Sequence, residues 1–202
     1  ANAFTVQVAA NIGNGEIALD GRALTVRSPA DAIKAGLFCV PEDRKHDGLC
    51  VKLSVFDNLT MPNLDMVSKA GVLDSRKAAS LANRMIQNLR IKTPSLNQYV
   101  RNLSGGNQQK IVVGKGGLRD ARVVMFDEPT RGIDVAAKVE IYNIMNELKK
   151  QGVGVLFVSS ELPEILGMSD KVVVMCNGRV KAELETRSTT QEESLSYATQ
   201  FN

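Results

Sequence analysis

The chain has 202 residues, 44% hydrophobic and 23% charged, which suits one ordinary domain with a real core and excludes a disordered chain. The net charge is only +3 and the basic residues are interspersed with acidic ones, so nothing favours a nucleic-acid partner. Three widely spaced cysteines and one histidine exclude a complete set of intrachain disulfides and disfavour a His-based metal site or a Ser-His-Asp triad.

The first part of the chain predicts a hairpin, a short helix and a strand. Residues 3–8 could form a strand, but this segment is too short to assign. Residues 16–26 predict a β-hairpin with Asp-Gly at its turn. Residues 28–36 predict a helix with Ser28 as its N-cap and glycine at its end. The apolar residues 37–40 predict a strand, and a polar loop follows.

The middle of the chain predicts a mostly helical lobe, at about residues 54–118. Within it, Asp74 or Ser75 is placed to cap a helix with apolar residues three to four positions apart. This periodicity indicates a helix with one buried face.

After this lobe, strands and helices alternate. Apolar runs predict strands at residues 123–126, 154–158 and 172–175. Residues 135–150 predict a helix with Val139, Tyr142, Met145 and Leu148 on one face. A short helix is expected at 163–168, a hairpin turn at Asn177-Gly178 and a last helix capped at Thr190. Buried strands alternating with helices indicate an α/β fold around a parallel sheet.

A pair of carboxylates follows the apolar strand at residues 123–126. Asp127 and Glu128 would lie at the carboxyl end of that strand, where α/β sheets place their ligands. Asp127 could hold Mg²⁺, and Glu128 could position or deprotonate an attacking water. An isolated Asp-Glu pair is more often a solvated turn, so the functional interpretation depends on what lies nearby.

The run Leu-Ser-Gly-Gly-Asn-Gln-Gln-Lys at residues 103–110 lies just upstream. Glycines let a backbone approach an anion, and the helix that follows offers free N–H groups at its positive end. Ser104 adds a hydroxyl donor. This octet is far more specific than Ser-Gly-Gly alone, and it predicts a site for a terminal phosphate.

A second glycine-rich run, at residues 114–117, only imitates a phosphate loop. The position five residues before Gly114 is Gln109 instead of glycine, and no serine or threonine follows Lys115. The run also falls inside a helix-length segment, so we interpret it as a helix weakened by glycine. A G-x-x-x-x-G-K-[ST] loop is absent from all 202 residues.

Together these motifs resemble an ABC-type ATPase, and specifically the second of two fused cassettes in monosaccharide importers of the arabinose, ribose and galactose type. The resemblance covers roughly residues 15–184. It rests on Pro-Glu-Asp-Arg-Lys at 41–45, Ile-Lys-Thr-Pro at 91–94, the octet at 103–110, Asp-Glu-Pro-Thr-Arg-Gly-Ile-Asp at 127–134 and Val-Ser-Ser-Glu-Leu-Pro-Glu at 158–164. No run has the roughly 18 apolar residues of a membrane helix, so a membrane role would be peripheral.

The resemblance implies roles for individual residues. It makes Asp127 the metal ligand and Glu128 the catalytic carboxylate of the Walker B strand. Glu42 stands where most ABC cassettes have the Q-loop glutamine, and Ser160 where they have the switch histidine. Both departures place hydrolysis at this cassette's own site in doubt. The nucleotide-binding residues that the resemblance implies are Ser104, Gly105, Gly106, Gln108 and Asp134.

The resemblance also implies the domain plan and the partners. Residues 1–202 would be a single partial cassette that lacks its N-terminal phosphate loop, with α/β core at 16–53 and 119–184, a helical lobe at 54–118 and a polar tail at 185–202. ATP and Mg²⁺ would be the ligands. A second cassette would face this one head to tail beneath a sugar permease, at the cytoplasmic face of the bacterial inner membrane, with a periplasmic sugar-binding protein as indirect partner.

Two other functions stay open at this stage. One is an ABC ATPase of translation or DNA metabolism, which the two motifs alone would allow. The other is a regulatory module without catalysis, since a chain lacking the phosphate loop should bind ATP weakly and turn over little of it by itself. The modest charge and the motifs at 127–134 and 158–164 favour the importer.

Overall fold

The structure, a computed structural model, describes residues 16–116 and 121–199. The possible strand at 3–8 and Gly117 lie outside the described residues. The described residues form two compact units: one contains residues 28–116 and 121–157, and the other contains residues 16–27 and 158–199. In chain order, the strands and helices are β1 (Ile17–Leu19), β2 (Arg22–Leu24), α1 (Pro29–Lys34), β3 (Leu37–Val40), α2 (Val55–Thr60), α3 (Leu64–Val67), β4 (Ser68–Lys69), β5 (Val72–Leu73), α4 (Ser75–Asn88), α5 (Gly105–Gly116), β6 (Val123–Asp127), α6 (Val135–Lys150), β7 (Gly154–Val158), α7 (Leu162–Met168), β8 (Lys171–Cys176), β9 (Arg179–Glu185) and α8 (Gln191–Ala198).

The unit of residues 28–157 is built on a three-stranded sheet in the order β3-β6-β7. β3 and β6 run parallel, with Leu37 beside Val123 and Val40 beside Phe126. Phe126, Val40 and Ile111 of α5 are fully buried. The predicted α/β fold with a parallel sheet is therefore confirmed, and the sheet carries Asp127 to its carboxyl end.

Helices α1 and α4 begin directly after residues that the sequence predicts as N-caps. Ser28 accepts a hydrogen bond from the backbone N–H of Asp31, and Asp74 accepts one from that of Lys77. Each bond satisfies an N–H group that the first helical turn leaves without a partner. Ser54 forms a capping box that starts α2, an element that the sequence pattern did not predict.

The predicted helical lobe also contains a short hairpin. β4 and β5 pair antiparallel across a turn at Ala70 and Gly71, both of which have positive φ. Each strand has only two residues, which is too short for an alternating pattern that would predict a strand.

Helix α6 has the predicted bounds, and Met145 of the predicted face is buried as expected, but the rest of the buried face differs. The predicted face included Val139, yet this residue is 51% exposed. The buried residues are Ala137, Ile141 and Met145. Apolar residues surround most of this helix, so their spacing does not select one face.

In the other unit, described at residues 16–27 and 158–199, two hairpins have the predicted turns. β1 and β2 join at Asp20 and Gly21, and β8 and β9 join at Asn177 and Gly178, all with positive φ. The run at 172–175 is a strand as expected. The predicted Asn-Gly hairpin turn returns the chain, so β8 pairs antiparallel with β9 and these two strands form a separate two-stranded sheet. α8 packs on the hairpin of β8 and β9, and Thr190 is the N-cap of α8, as predicted.

The glycine-rich run after Ile111 is helical, as predicted, up to the last described residue of α5. A Cβ on Gly116 would lie 2.3 Å from the ring of Phe38 in β3, and a Cβ on Gly114 would lie 3.0 Å from Leu59. These glycines therefore let α5 approach the sheet and its neighbouring helix, so they have a packing role in place of a phosphate-binding one.

This packing predicts the effect of Gly116→Ala. The added methyl cannot fit against the Phe38 ring unless the ring or α5 moves, so we expect a loss of about 1–3 kcal/mol in the free energy of unfolding. Urea unfolding measures it. Gly167→Ala in α7 is the matched control, because its Cβ meets nothing within 4 Å. Equal stability for both variants would contradict the close approach of α5 to β3.

Candidate functional site

The acidic pair lies at the end of β6, as the sequence predicts. Asp127 is the last residue of the strand and is exposed. Asp127 follows Phe126, which pairs with Val40 of β3, so the carboxylate lies at the end of both strands. Partial desolvation, and secondarily the charge of Asp127, raises the pKa of the Cys39 thiol in β3.

Glu128 has a backbone conformation that glutamate rarely adopts. Its φ is 42°, in the left-handed region, and its carbonyl accepts a hydrogen bond from the N–H of Arg131 at 3.1 Å. Left-handed backbone at a residue other than glycine costs energy and is concentrated at functional sites. The left-handed conformation of Glu128 therefore lowers the stability of the folded chain.

The turn before α5 presents the hydroxyl of Ser104. Asn107 donates from its side-chain amide to Ser104 Oγ at 2.8 Å, and the backbone N–H of Lys92 donates to Asn107 Oδ1 at 2.7 Å. The bond from Lys92 fixes which end of the Asn107 amide faces the serine. Since the serine oxygen is an acceptor here, its hydrogen is available for an external acceptor.

The two glycines after Ser104 are both closely packed, Gly106 against a rigid neighbour and Gly105 against a flexible side chain. A Cβ on Gly106 would lie 2.6 Å from the Cβ of Ala137 in α6, and a Cβ on Gly105 would lie 2.8 Å from a guanidinium nitrogen of Arg44. The start of α5 therefore lies directly against α6 and Arg44, and Ser104 just before it is exposed.

The side chain of Gln108 is buried beside the turn that contains Ser104. Its side chain is 4% exposed, and its amide nitrogen donates to the carbonyls of Val100 and Leu103 at 3.1 and 3.2 Å. Gln108 thereby fixes the backbone that leads into Ser104. Gln108 therefore supports this turn.

Asp134 caps α6. Its carboxylate accepts a hydrogen bond from the N–H of Ala137 at 2.9 Å. This bond fixes the end of the segment that follows the acidic pair, whatever else Asp134 contacts.

Glu42 lies in the loop after β3 and faces the turn after β6. Its carboxylate forms an exposed ion pair with Arg131. The neighbouring Asp43 caps the π-helical turn Arg44–Gly48, because its carboxylate accepts from the N–H groups of Lys45 and His46 at 3.0 Å. These two N–H groups hold the pKa of the Asp43 carboxyl below its usual value.

Ser160 belongs to the unit described at 16–27 and 158–199 and is exposed. Its neighbour Ser159 donates to Glu164 Oε2 at 2.5 Å and accepts from the N–H of Glu161. These bonds hold the turn that enters α7.

The larger unit thus brings Glu42 and the turn after Glu128 together, and it brings Arg44 against the start of α5. Lys92, Asn107, Arg44 and Arg131 support these turns but were not singled out from the sequence as site residues. Their contacts join segments far apart in the chain. A weaker signal existed, since all four residues lie inside motifs that carried the family resemblance.

Within residues 16–116 and 121–199, no three His, Cys, Asp or Glu residues are grouped closely enough to hold a metal ion. Among the helices of the same residues, none is both long and apolar enough to span a bilayer.

Comparison with protein families identifies the chain's relatives. The family model described as "ABC transporter" matches residues 3–131. A protein of Agrobacterium fabrum, named provisionally as a ribose/galactose/methyl galactoside import ATP-binding protein, is 52% identical over 93% of this chain. An arabinose import ATP-binding protein of Yersinia pestis is 50% identical over 92% of it. The chain spans only 37% and 36% of the lengths of these two relatives.

Solved structures share the fold. An ATP-binding cassette of an ABC transporter in its ADP conformation superposes with a TM-score of 0.70 and 18% identity, over 93% of this chain and 74% of the other. A dimeric cassette in a post-hydrolysis state with ADP and phosphate also gives a TM-score of 0.70 at 18% identity, over 88% of this chain and 75% of that one.

Proposed function

This chain belongs to the ABC transporter family of ATP-binding cassettes, and we propose from that membership that it is part of the ATPase subunit of a bacterial sugar importer. The curated relatives are named for import of ribose, galactose, arabinose and, in a Thermoanaerobacter protein 46% identical to this chain, xylose. ATP binding and hydrolysis would drive monosaccharide uptake. The subunit would lie at the cytoplasmic face of the inner membrane, against a permease that receives sugar from a periplasmic binding protein.

The observation that carries the proposal is the hydrogen-bonded turn at the start of α5. The Ser104 hydroxyl accepts a hydrogen bond from Asn107 and keeps its hydrogen to donate. It lies at the start of α5, where the N–H groups of a first helical turn would suit an anion. This arrangement suits the terminal phosphate of ATP. Ser104, Gly105 and Gly106 would contact ATP held by a second cassette facing this one head to tail.

Gln108 and Asp134 would act at the same interface as supports. Gln108 holds the backbone behind Ser104, and Asp134 fixes the segment between Glu128 and α6. Each would keep a phosphate-facing backbone in place and need not reach the nucleotide itself.

Asp127 and Glu128 would line this cassette's own site. Mg²⁺ would neutralise charge on the phosphates, and the exposed carboxylate of Asp127 suits a single protein ligand, since Mg²⁺ usually keeps several waters and phosphate oxygens. Glu128 would orient and deprotonate the attacking water.

Two residues would make this site the weaker one. Glu42, at the Q-loop position, is engaged with Arg131. Ser160, at the switch position, is shorter than a histidine and cannot become cationic. Hydrolysis would therefore take place mainly at the partner cassette's site.

The proposal is tested on the full-length subunit assembled with its permease in lipid nanodiscs. We expect its ATPase rate to rise on addition of the binding protein loaded with ribose, galactose, arabinose or xylose, and the effective sugar identifies the substrate. The unloaded binding protein is the control. An ATPase that ignores every loaded binding protein but responds to ribosomes or DNA would contradict import and support a non-transport ABC ATPase.

A further inference from the structure

The side chain of Arg44 joins the loop after β3 to the turn after β6. Its Nη1 donates to the carbonyl of Arg131 at 3.1 Å, and its Nη2 lies 3.4 Å from that of Gly132. These partners are 87 and 88 residues away in sequence. A guanidinium is suited to this because its planar fork donates in two directions at once.

The same guanidinium lies against the start of α5. The space that a Cβ on Gly105 would occupy is 2.8 Å from Arg44 Nη2 and 3.3 Å from Ile133. Glycine at this position is therefore what allows Arg44 to reach the carbonyls beyond it. The backbone next to Ser104 and the turn after Glu128 consequently meet at one side chain.

The placement of Arg44 has an unfavourable component. Its Nε is buried and has no hydrogen-bond partner among the described residues. A buried donor without a partner is disfavoured, so such a group in a folded protein calls for an explanation. The ion pair between Glu42 and Arg131 adds a second, exposed link between the same loop and turn.

We propose that Arg44 is a positioning residue that fixes the phosphate-facing turn of Ser104 and Gly105 relative to the turn after Glu128. The inference rests on the proposed function. One turn serves ATP of the partner cassette and the other serves this cassette's own site, so Arg44 would connect the two nucleotide sites. Its effect would be on alignment during turnover, since its guanidinium is engaged with the carbonyls of Arg131 and Gly132.

Turnover by the assembled full-length transporter is the first test. We expect Arg44→Met to lower kcat about tenfold with KM changed less than about twofold, because the turns still bind but are misaligned. Arg44→Lys should recover part of kcat, as it keeps the charge but loses the fork. Arg76→Met, an exposed arginine on α4, is the matched control and should match the wild type.

A double-mutant cycle tests the connection itself. Gly105→Ala should displace Arg44 and lower kcat, and adding Arg44→Met should lower it little further. Multiplicative effects of the two changes would show that the residues act independently and would overturn the proposal.

Hydrogen exchange of the full-length chain gives a readout that needs no activity. Arg44→Met should speed exchange of the backbone amides about tenfold in both residues 103–108 and residues 129–134, and Arg76→Met should leave both unchanged. Unchanged exchange in either segment would overturn the proposal. Failure of sugar-loaded binding protein to stimulate the wild type would instead contradict the importer function and leave this exchange result to stand by itself.

Discussion

Ser104→Arg should collapse the sugar-stimulated ATPase of the assembled transporter, by about a hundredfold or more. Ser104 is exposed at the start of α5, and its hydroxyl is held by Asn107 so that it can donate outward. Arginine would remove that donor and place a long cation where the partner's terminal phosphate should lie. The measurement is the ATPase rate with and without sugar-loaded binding protein.

The control separates this effect from misfolding. Ser80→Arg places the same side chain at an exposed position on α4 and should retain activity. Ser104→Ala should fall between the two, because it loses the donor but adds no bulk. Normal transport by the Ser104→Arg variant would exclude a role for this turn at the partner's site.

Much of this site could be predicted because its key residues are neighbours in sequence. The octet at 103–110 and the acids after β6 each form a contiguous motif with a local structural cause, a glycine-rich helix start and a strand end. Such causes act over a few residues, so a sequence pattern can express them.

The supports of the site could not be predicted in the same way. Asn107 depends on a backbone N–H 15 residues away, and Arg44 on carbonyls 87 and 88 residues away. Neither an asparagine nor an arginine indicates by its type which distant backbone group it will bind. Only the fold brings these segments together.

The fold shows the same division between local and distant causes. Caps at Ser28 and Asp74 and turns at Asp20-Gly21 and Asn177-Gly178 are where the sequence predicts them. The sequence does not predict which face of α6 is buried. Val139 and Ile141 are both apolar, and only the packing partners decide which of them is covered.

The weaker-site interpretation rests on Glu42 and Ser160, which differ in type from the glutamine and histidine that most ABC cassettes have there. A carboxylate at the position of Glu42 lacks the amide N–H that a glutamine could donate, and in the structure it is engaged with Arg131. Ser160 is exposed and short. The site that contains Glu128 should therefore contribute little to the steady-state rate of the full-length protein.

Glu128→Gln tests that asymmetry. It removes the carboxylate that would deprotonate water but keeps the size of the side chain, so it should leave most of the steady-state ATPase of the assembled transporter. The equivalent change in the partner cassette should lower the rate by about a hundredfold or more, because it removes a general base from the working site. The rates of the two variants are compared with sugar-loaded binding protein present.

A trapped-nucleotide measurement supplies the control, because an inactive site can still bind ATP. If Glu128→Gln leaves the rate high while ATP stays bound at the site of the changed residue, that site binds without turning over, as the asymmetry requires. If Glu128→Gln silences turnover as fully as its counterpart, the left-handed turn at Glu128 belongs to a working catalytic site. Glu42 and Ser160 would then be functional replacements for the usual glutamine and histidine, and the two cassettes would share hydrolysis.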